Sequence, residues 1–154
     1  MFEFYTNLKF TCVISMICAI SSICVQYILH ETPCLLCLWT RIGFICTIFA
    51  CLITIRYRYM PWLPMITLLF LTGVSFYHLG VENHWWIAPD SCKMVLPTLN
   101  QLNTTPLQNN RPPCDAVGFQ IFGLSITLFS FVIASGLAWL HSIAFSLKVH
   151  KCRF

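Results

Sequence analysis

Four apolar stretches dominate this chain: about Phe10–Leu29, Leu35–Ile55, Trp62–Leu79 and Phe119–Leu140. Each is long enough to cross a hydrocarbon core, which takes roughly 20 apolar residues. Only the second holds a formal charge, Arg41, near one of its ends. With 58% of residues hydrophobic, 9% charged and a mean hydropathy of +0.75, a soluble domain of this size could not bury its apolar surface. The pattern predicts an all-α integral membrane protein: a four-transmembrane-helix bundle forming a single domain over residues 1–154, with no internal repeat. The first stretch is too long for the apolar part of a signal peptide, and no small-residue cleavage pattern precedes His30, so it reads as a retained helix.

The basic residues set the expected orientation. Lys9, Arg56, Arg58, Lys148, Lys151 and Arg153 fall on one side; Lys93 and Arg111 fall on the other, with Arg41 at the boundary. That second side also holds Glu31, Glu82, Asp90 and Asp115. Both termini and the Arg56-Tyr57-Arg58 turn are therefore expected in the cytoplasm, with a large loop over about 80–116 facing outward. The net charge of +4 follows from this asymmetry and does not point to nucleic acid.

Between the first two stretches lies Thr32-Pro33-Cys34-Leu35-Leu36-Cys37-Leu38-Trp39-Thr40-Arg41. Thr32 and Pro33 read as the cap and first residue of a helix. That would place Cys34 and Cys37 in its opening turns, where free N–H groups and the helix dipole favour a thiolate. Positions i, i+3 and i+7 share a face, so Cys34, Cys37 and Arg41 form a stripe. A dithiol with a fixed cation at the mouth of a membrane helix suggests redox chemistry. Arg41 could snorkel to the interface, but its register with Cys37 favours a partnership with a polar or anionic group in the bundle. His78 is placed to face Arg41 across the outer end, and His84 lies nearby.

Other features have plainer readings. Cys12, Cys18, Cys24, Cys46 and Cys51 read as small buried hydrophobes. Gly43, Ala50, Ser135 and Gly136 suit close helix contacts. Pro61 and Pro64 are tolerable at the opening of the third helix. Trp85 and Trp86 read as interfacial anchors, and Pro97–Pro113 as a mobile polar tract. Asp115 could cap the fourth helix. The Asn103-Thr104-Thr105 sequon is taken as chance, and the basic tail around Cys152 as a topology signal in preference to a lipidation site.

Four of the ten cysteines, Cys34, Cys37, Cys92 and Cys114, fall on the outward side, where disulfides persist. A four-cysteine zinc site is the rival. Structural zinc sites favour two close-spaced pairs, whereas Cys92 and Cys114 are far apart, so redox chemistry is the stronger reading.

Taken together, Pro33-Cys34-Leu35-Leu36-Cys37 with Arg41, Tyr77-His78-Leu79-Gly80-Val81-Glu82 with Trp85, Cys92, Pro113-Cys114-Asp115 and Phe122-Gly123-Leu124-Ser125 resemble the disulfide-bond formation protein B (DsbB) family of bacterial inner-membrane thiol oxidases. The resemblance covers nearly the whole chain; the outer loop is shorter than in the best-known members. It implies an enzyme that re-oxidises a soluble periplasmic thioredoxin-like (DsbA-like) protein and passes the electrons to membrane quinone, ubiquinone or menaquinone. It also implies redox disulfides Cys34–Cys37 and Cys92–Cys114. Cys92 would form the mixed disulfide with the partner, Cys114 would exchange with Cys34, and Cys37 would donate to quinone. Arg41 would polarise a quinone oxygen and His78 would lie at the quinone pocket, with no resident metal and a monomeric chain. Two alternatives are weaker. A vitamin K epoxide reductase-like enzyme carries its CxxC late in the chain, and a metal transporter or adaptor would want polar ligands near mid-membrane.

Overall fold

The computed structural model describes residues 2–28, 33–57, 60–89, 92, 114, 120–121 and 123–151. Four helices dominate: α1 (Phe2–Ile28), α2 (Leu35–Tyr57), α3 (Leu63–Glu82) and α4 (Ile126–Lys151). All four include a stretch long and apolar enough to span a membrane. Lipid offers no hydrogen bonds, so a spanning segment must satisfy its backbone internally, and the helix does so residue by residue. Many side-chain hydroxyls follow the same rule. Thr40 donates to the Leu36 carbonyl at 3.0 Å, Thr47 to Gly43 at 2.9 Å and Thr72 to Leu68 at 2.8 Å, all within their own helices.

The helix ends depart from the apolar runs. α1 begins at Phe2 instead of near Phe10, because backbone bonding continues through polar residues that the apolar run leaves out. α4 begins at Ile126, later than the expected Phe119, and runs on to Lys151. Before it, β1 (Gln120–Ile121) and β2 (Leu124–Ser125) pair antiparallel, with Gln120 opposite Ser125 and Ile121 opposite Leu124. Gly123, at φ 77°, sits in the left-handed region this tight reversal needs. Ser125 then caps α4, its hydroxyl accepting the Leu128 N–H at 3.3 Å.

Helices adjacent in sequence pack on one another, and α1 closes against α4. Gly43 lets α3 pack closely on α2: a Cβ there would lie 2.8 Å from Leu71 Cδ1. Ala50 is buried as expected. Gly136, by contrast, makes no close helix contact, since nothing lies within 4 Å of its would-be Cβ. The inward face of α4 is instead carried by Ala134, Leu137 and Ala138, at i, i+3 and i+4. Ser135 simply donates to the Val132 carbonyl. Of the membrane cysteines, Cys12 and Cys51 are buried in one cluster with Phe4, Leu8 and Ala144. Cys24 and Cys46 are not buried; both lie on exposed apolar helix faces.

At the end of the bundle holding Phe4, the turn between α2 and α3 is tied by Thr54, which donates to the Met60 carbonyl at 3.0 Å. Pro61 lies in that turn and Pro64 in the first turn of α3. The cysteines of interest lie at the opposite end. Thr32, Lys93, the Pro97–Pro113 tract with its sequon, Arg111, Asp115 and Cys152 lie outside the described residues.

Candidate redox site

The site begins at the N-terminus of α2. Thr32 was the expected cap with Pro33 as the first helical residue, but the helix starts at Leu35 and Cys34 occupies the capping position. The Cys34 carbonyl accepts the Leu38 N–H at 3.2 Å, and its Sγ accepts the Cys37 N–H at 3.2 Å. The sulfur thus does what a serine or aspartate oxygen does at other helix starts, satisfying an amide the helix leaves free. An anion in this position also meets the positive end of the helix dipole.

Two further groups converge on that sulfur. Cys37 Sγ is 2.9 Å away, unbonded, and His78 Nε2 is 3.5 Å away. The Cys37 thiol, acting as donor, and then the His78 ring hold the Cys34 thiol far below its usual range, to about 4, against the opposing effect of burial. Cys34 is therefore ionised at neutral pH, and the thiolate is the nucleophilic form.

The end of α3 positions His78. Trp85 N–H bonds the Gly80 carbonyl at 2.8 Å and His84 N–H bonds the Val81 carbonyl at 3.1 Å, the paired bonds of a Schellman motif. His84 occupies its left-handed position at φ 57°, where glycine is the usual residue. The reversal lays Trp86 back on α3. Its indole N–H bonds the Tyr77 carbonyl at 3.0 Å, and its ring stacks on that of Tyr77. The ring covers Gly80 so closely that a Cβ there would lie 2.0 Å from it. Trp86 is thus packed into the fold, whereas Trp85 stays exposed. His78 is buried against Cys34, and His84 points out of the fold. Glu82, one turn past His78 on the same face, is buried, and its Oε2 has no hydrogen-bond partner among the described residues.

Cys92 and Cys114 form a disulfide, and the Cys114 N–H bonds the Cys92 carbonyl at 3.1 Å. This pair is buried in one cluster with Cys34, Leu36 and Val81, and Cys37 and Trp86 pack against it. Cys34, Cys37, Cys92 and Cys114 are thus gathered at one end of the bundle, a disulfide beside an unbonded dithiol. That arrangement suits thiol–disulfide exchange, which needs a thiolate and an adjacent disulfide. Cys34, Cys37 and His78 also present donor atoms within 4.8 Å of one another, the one metal-compatible group among the described residues.

Arg41 finds polar partners inside the bundle, and they lie on α1. Its guanidinium bonds the Gln26 side-chain oxygen and, at 2.8 Å, the Ser22 carbonyl, tying α2 to α1. Its hydrogen-bond partners lie on α1, while that of His78 is Cys34 in the capping position of α2, so among the described residues the two do not share a partner. Arg41 remains close enough to Cys37 for its charge to act on that sulfur. The Cys–Cys–Arg spacing carries no sign of Gln26. It is, however, the sole amide side chain within the first apolar stretch, and that could have marked it.

The family model for disulfide bond formation protein DsbB matches residues 6–144. No curated protein and no solved structure gives a significant match. The match takes in every cysteine except Cys152, together with Arg41, His78 and most of the four helices. This chain is a multi-pass membrane protein that belongs to the DsbB family of disulfide bond formation proteins.

Proposed function

We propose that this protein is a thiol oxidase of the bacterial inner membrane that re-oxidises a periplasmic thioredoxin-fold (DsbA-like) partner and delivers the electrons to membrane quinone. The observation that carries this reading is the gathering of Cys92–Cys114, the Cys34–Cys37 dithiol and His78 at one end of a four-helix membrane bundle. The charge asymmetry of the sequence puts that end outside the cytoplasm, with both termini inside.

In the proposed cycle a partner thiolate attacks Cys92 Sγ. The Cys92–Cys114 bond breaks and Cys114 leaves as a thiolate. The partner's second thiol then breaks the mixed disulfide, so the partner departs oxidised and both loop cysteines are reduced. Cys114 next attacks Cys34 of an oxidised Cys34–Cys37 pair. Resolution by Cys92 restores the Cys92–Cys114 disulfide and leaves the Cys34–Cys37 pair reduced. Two electrons have then moved from the partner to the CxxC, with one proton held on Cys37, Cys34 left as a thiolate and the second proton released to water. The Cys34 thiolate is a good leaving group here because its charge is already stabilised by Cys37, His78 and the α2 terminus.

A bound quinone would supply the two-electron acceptor, leaving as quinol. The residues present suit such a group. Arg41 has five N–H donors, more than its α1 contacts use. Trp39, Ile42 and Ile45 make the adjoining α2 surface apolar and exposed, as access from lipid requires. Arg41 would hold a headgroup oxygen beside Cys37 and oppose the negative charge that develops on it. His78 and Glu82 would handle protons at the buried end of the site.

Purified protein reconstituted with ubiquinone or menaquinone and supplied with a reduced thioredoxin-fold protein tests this. One quinol should form per partner disulfide, and Cys34→Ala should abolish it. Partner oxidation without quinol formation would refute the quinone step, and no exchange with the partner would refute the proposal as a whole.

A further inference from the structure

The reduced CxxC has a third donor poised beside it. Cys34 and Cys37 stand at the start of α2 and His78 in the penultimate turn of α3, so both helices hold the three donors in place. All three donor atoms lie within 4.8 Å of one another. We propose that Cys34, Cys37 and His78 form a redox-gated site for a thiophilic divalent cation of the zinc class, one that captures the reduced pair and blocks its re-oxidation.

Geometry supports this first. Zinc binds sulfur at about 2.3 Å and imidazole nitrogen at about 2.0–2.1 Å, so tetrahedral ligands stand about 3.5 Å apart for S and N and about 3.8 Å for two sulfurs. The Cys34 Sγ to His78 Nε2 distance is already 3.5 Å. The Cys34 to Cys37 distance of 2.9 Å has to open by under about 1 Å, which side-chain rotation of two unbonded thiols allows. Two thiolates and an imidazole are soft and borderline donors that select zinc over magnesium or calcium. Three protein ligands would leave a fourth position for water.

Charge supports it second. The site is buried, where net charge is costly, and two thiolates cancel the two positive charges of the ion. Both sulfurs bind as thiolates, any thiol proton passing to water as the ion takes its place. No electron moves. Arg41 is the opposing influence, since its charge acts on Cys37, but its guanidinium is held toward Gln26 and Ser22. When the pair is a disulfide neither sulfur is an anionic ligand, so the ion binds only the electron-loaded state. The site needs two thiols and one imidazole, and it stands whether or not quinone is the acceptor.

The test uses full-length protein carrying Cys92→Ser and Cys114→Ser, which confines the outward dithiol to the CxxC. Reduced protein is titrated with Co²⁺, whose tetrahedral thiolate complexes absorb distinctively, and Co²⁺ is then displaced with Zn²⁺. One equivalent should bind, the bands should vanish in Cys34→Ser and in Cys37→Ser, and the oxidised protein should bind none. His78→Ala should weaken binding by at least about 100-fold, given that losing even an outer partner of a ligand costs about 10–100-fold. His78→Gln, which keeps a polar side chain in the cavity, should do the same, while His84→Ala and Cys12→Ala should change nothing. Tetrahedral bands that persist in Cys34→Ser, an affinity indifferent to both His78 variants, or no stoichiometric binding would overturn the proposal. Exchange rates measured on the unmodified protein with a chelator present report the redox reading separately.

Discussion

The Cys37 thiol and the His78 ring, converging on a sulfur that also caps α2, give Cys34 its chemistry. Folding lowers its pKa from 9.0 to about 4, so between those values the folded reduced protein binds fewer protons than the unfolded chain. The reduced form is therefore stabilised most at high pH, loses that contribution as pH falls through the window, and lacks it below about 4. Alkylation of Cys34 should accordingly stay nearly constant from neutral pH down to about 5 and then fall through the depressed value. Cys37→Ala should move that midpoint upward most, with His78→Ala next, in the order of their effects on the thiolate. A midpoint near 9.0 in the unaltered protein would show that the capping geometry does not hold in the membrane. The CxxC and its arginine were legible from spacing alone. Which nearby histidine served the cysteines was not, because His78 and His84 lie six apart on either side of a chain reversal. The place of Arg41 beside Cys37 was legible in the spacing, but its tether to α1 was not, since its partners there are distant in sequence. Arg41→Ala should raise the apparent quinone KM and leave single-turnover exchange between the partner and Cys92–Cys114 unchanged. Arg41→Lys should rescue in part, keeping the charge but losing the planar fork. An unchanged KM with slowed exchange would assign Arg41 to docking instead.

At the scale of elements, the end of α3 decides where the site's imidazole stands. The Schellman turn folds Trp86 onto Gly80, and no larger residue fits between the helix and that indole. Gly80→Ala should expel the ring and break its bond to the Tyr77 carbonyl, costing about 1–3 kcal/mol as overpacking does. It should also loosen His78, so the Cys34 alkylation midpoint would rise with the loss of stability. A variant that lost stability with the midpoint unmoved would show that the turn supports the fold and not the site. His84→Gly relieves a left-handed non-glycine residue and should match or exceed the parent in stability. The four helices themselves were plain from the apolar runs, because lipid solubility demands that composition. Their ends were not. Apolar run length measures the lipid-facing part, while α1 continues through polar residues and α4 waits for the Gly123 hairpin to finish.

For the whole molecule, the distribution of cysteines separates two roles. Cys34, Cys37, Cys92 and Cys114 share one cluster at one end, while Cys12 and Cys51 pack with Phe4 and Leu8 at the other. Cys18 packs near mid-bundle, and Cys24 and Cys46 face outward among apolar side chains. If the Cys34, Cys37, Cys92 and Cys114 cluster alone carries electrons, removing one of its members should trap an intermediate, whereas removing any of the others should not. Cys114→Ala leaves Cys92 without its loop partner. A thioredoxin-fold protein lacking its own resolving cysteine should then accumulate as a mixed disulfide on Cys92, visible as a shifted band that reductant removes. Cys12→Ala takes only a small sulfur from a well-packed cluster and should keep turnover near the parent value; Cys24→Ala and Cys46→Ala should do the same. In the resting protein, thiol trapping with peptide mapping should find Cys34–Cys37 and Cys92–Cys114 as disulfides and the other six, Cys12, Cys18, Cys24, Cys46, Cys51 and Cys152, as thiols. Loss of turnover on removing Cys12 equal to that on removing Cys114, in protein of undiminished stability, would mean that electrons pass through the bundle interior and that the four-cysteine cluster is not a self-sufficient site.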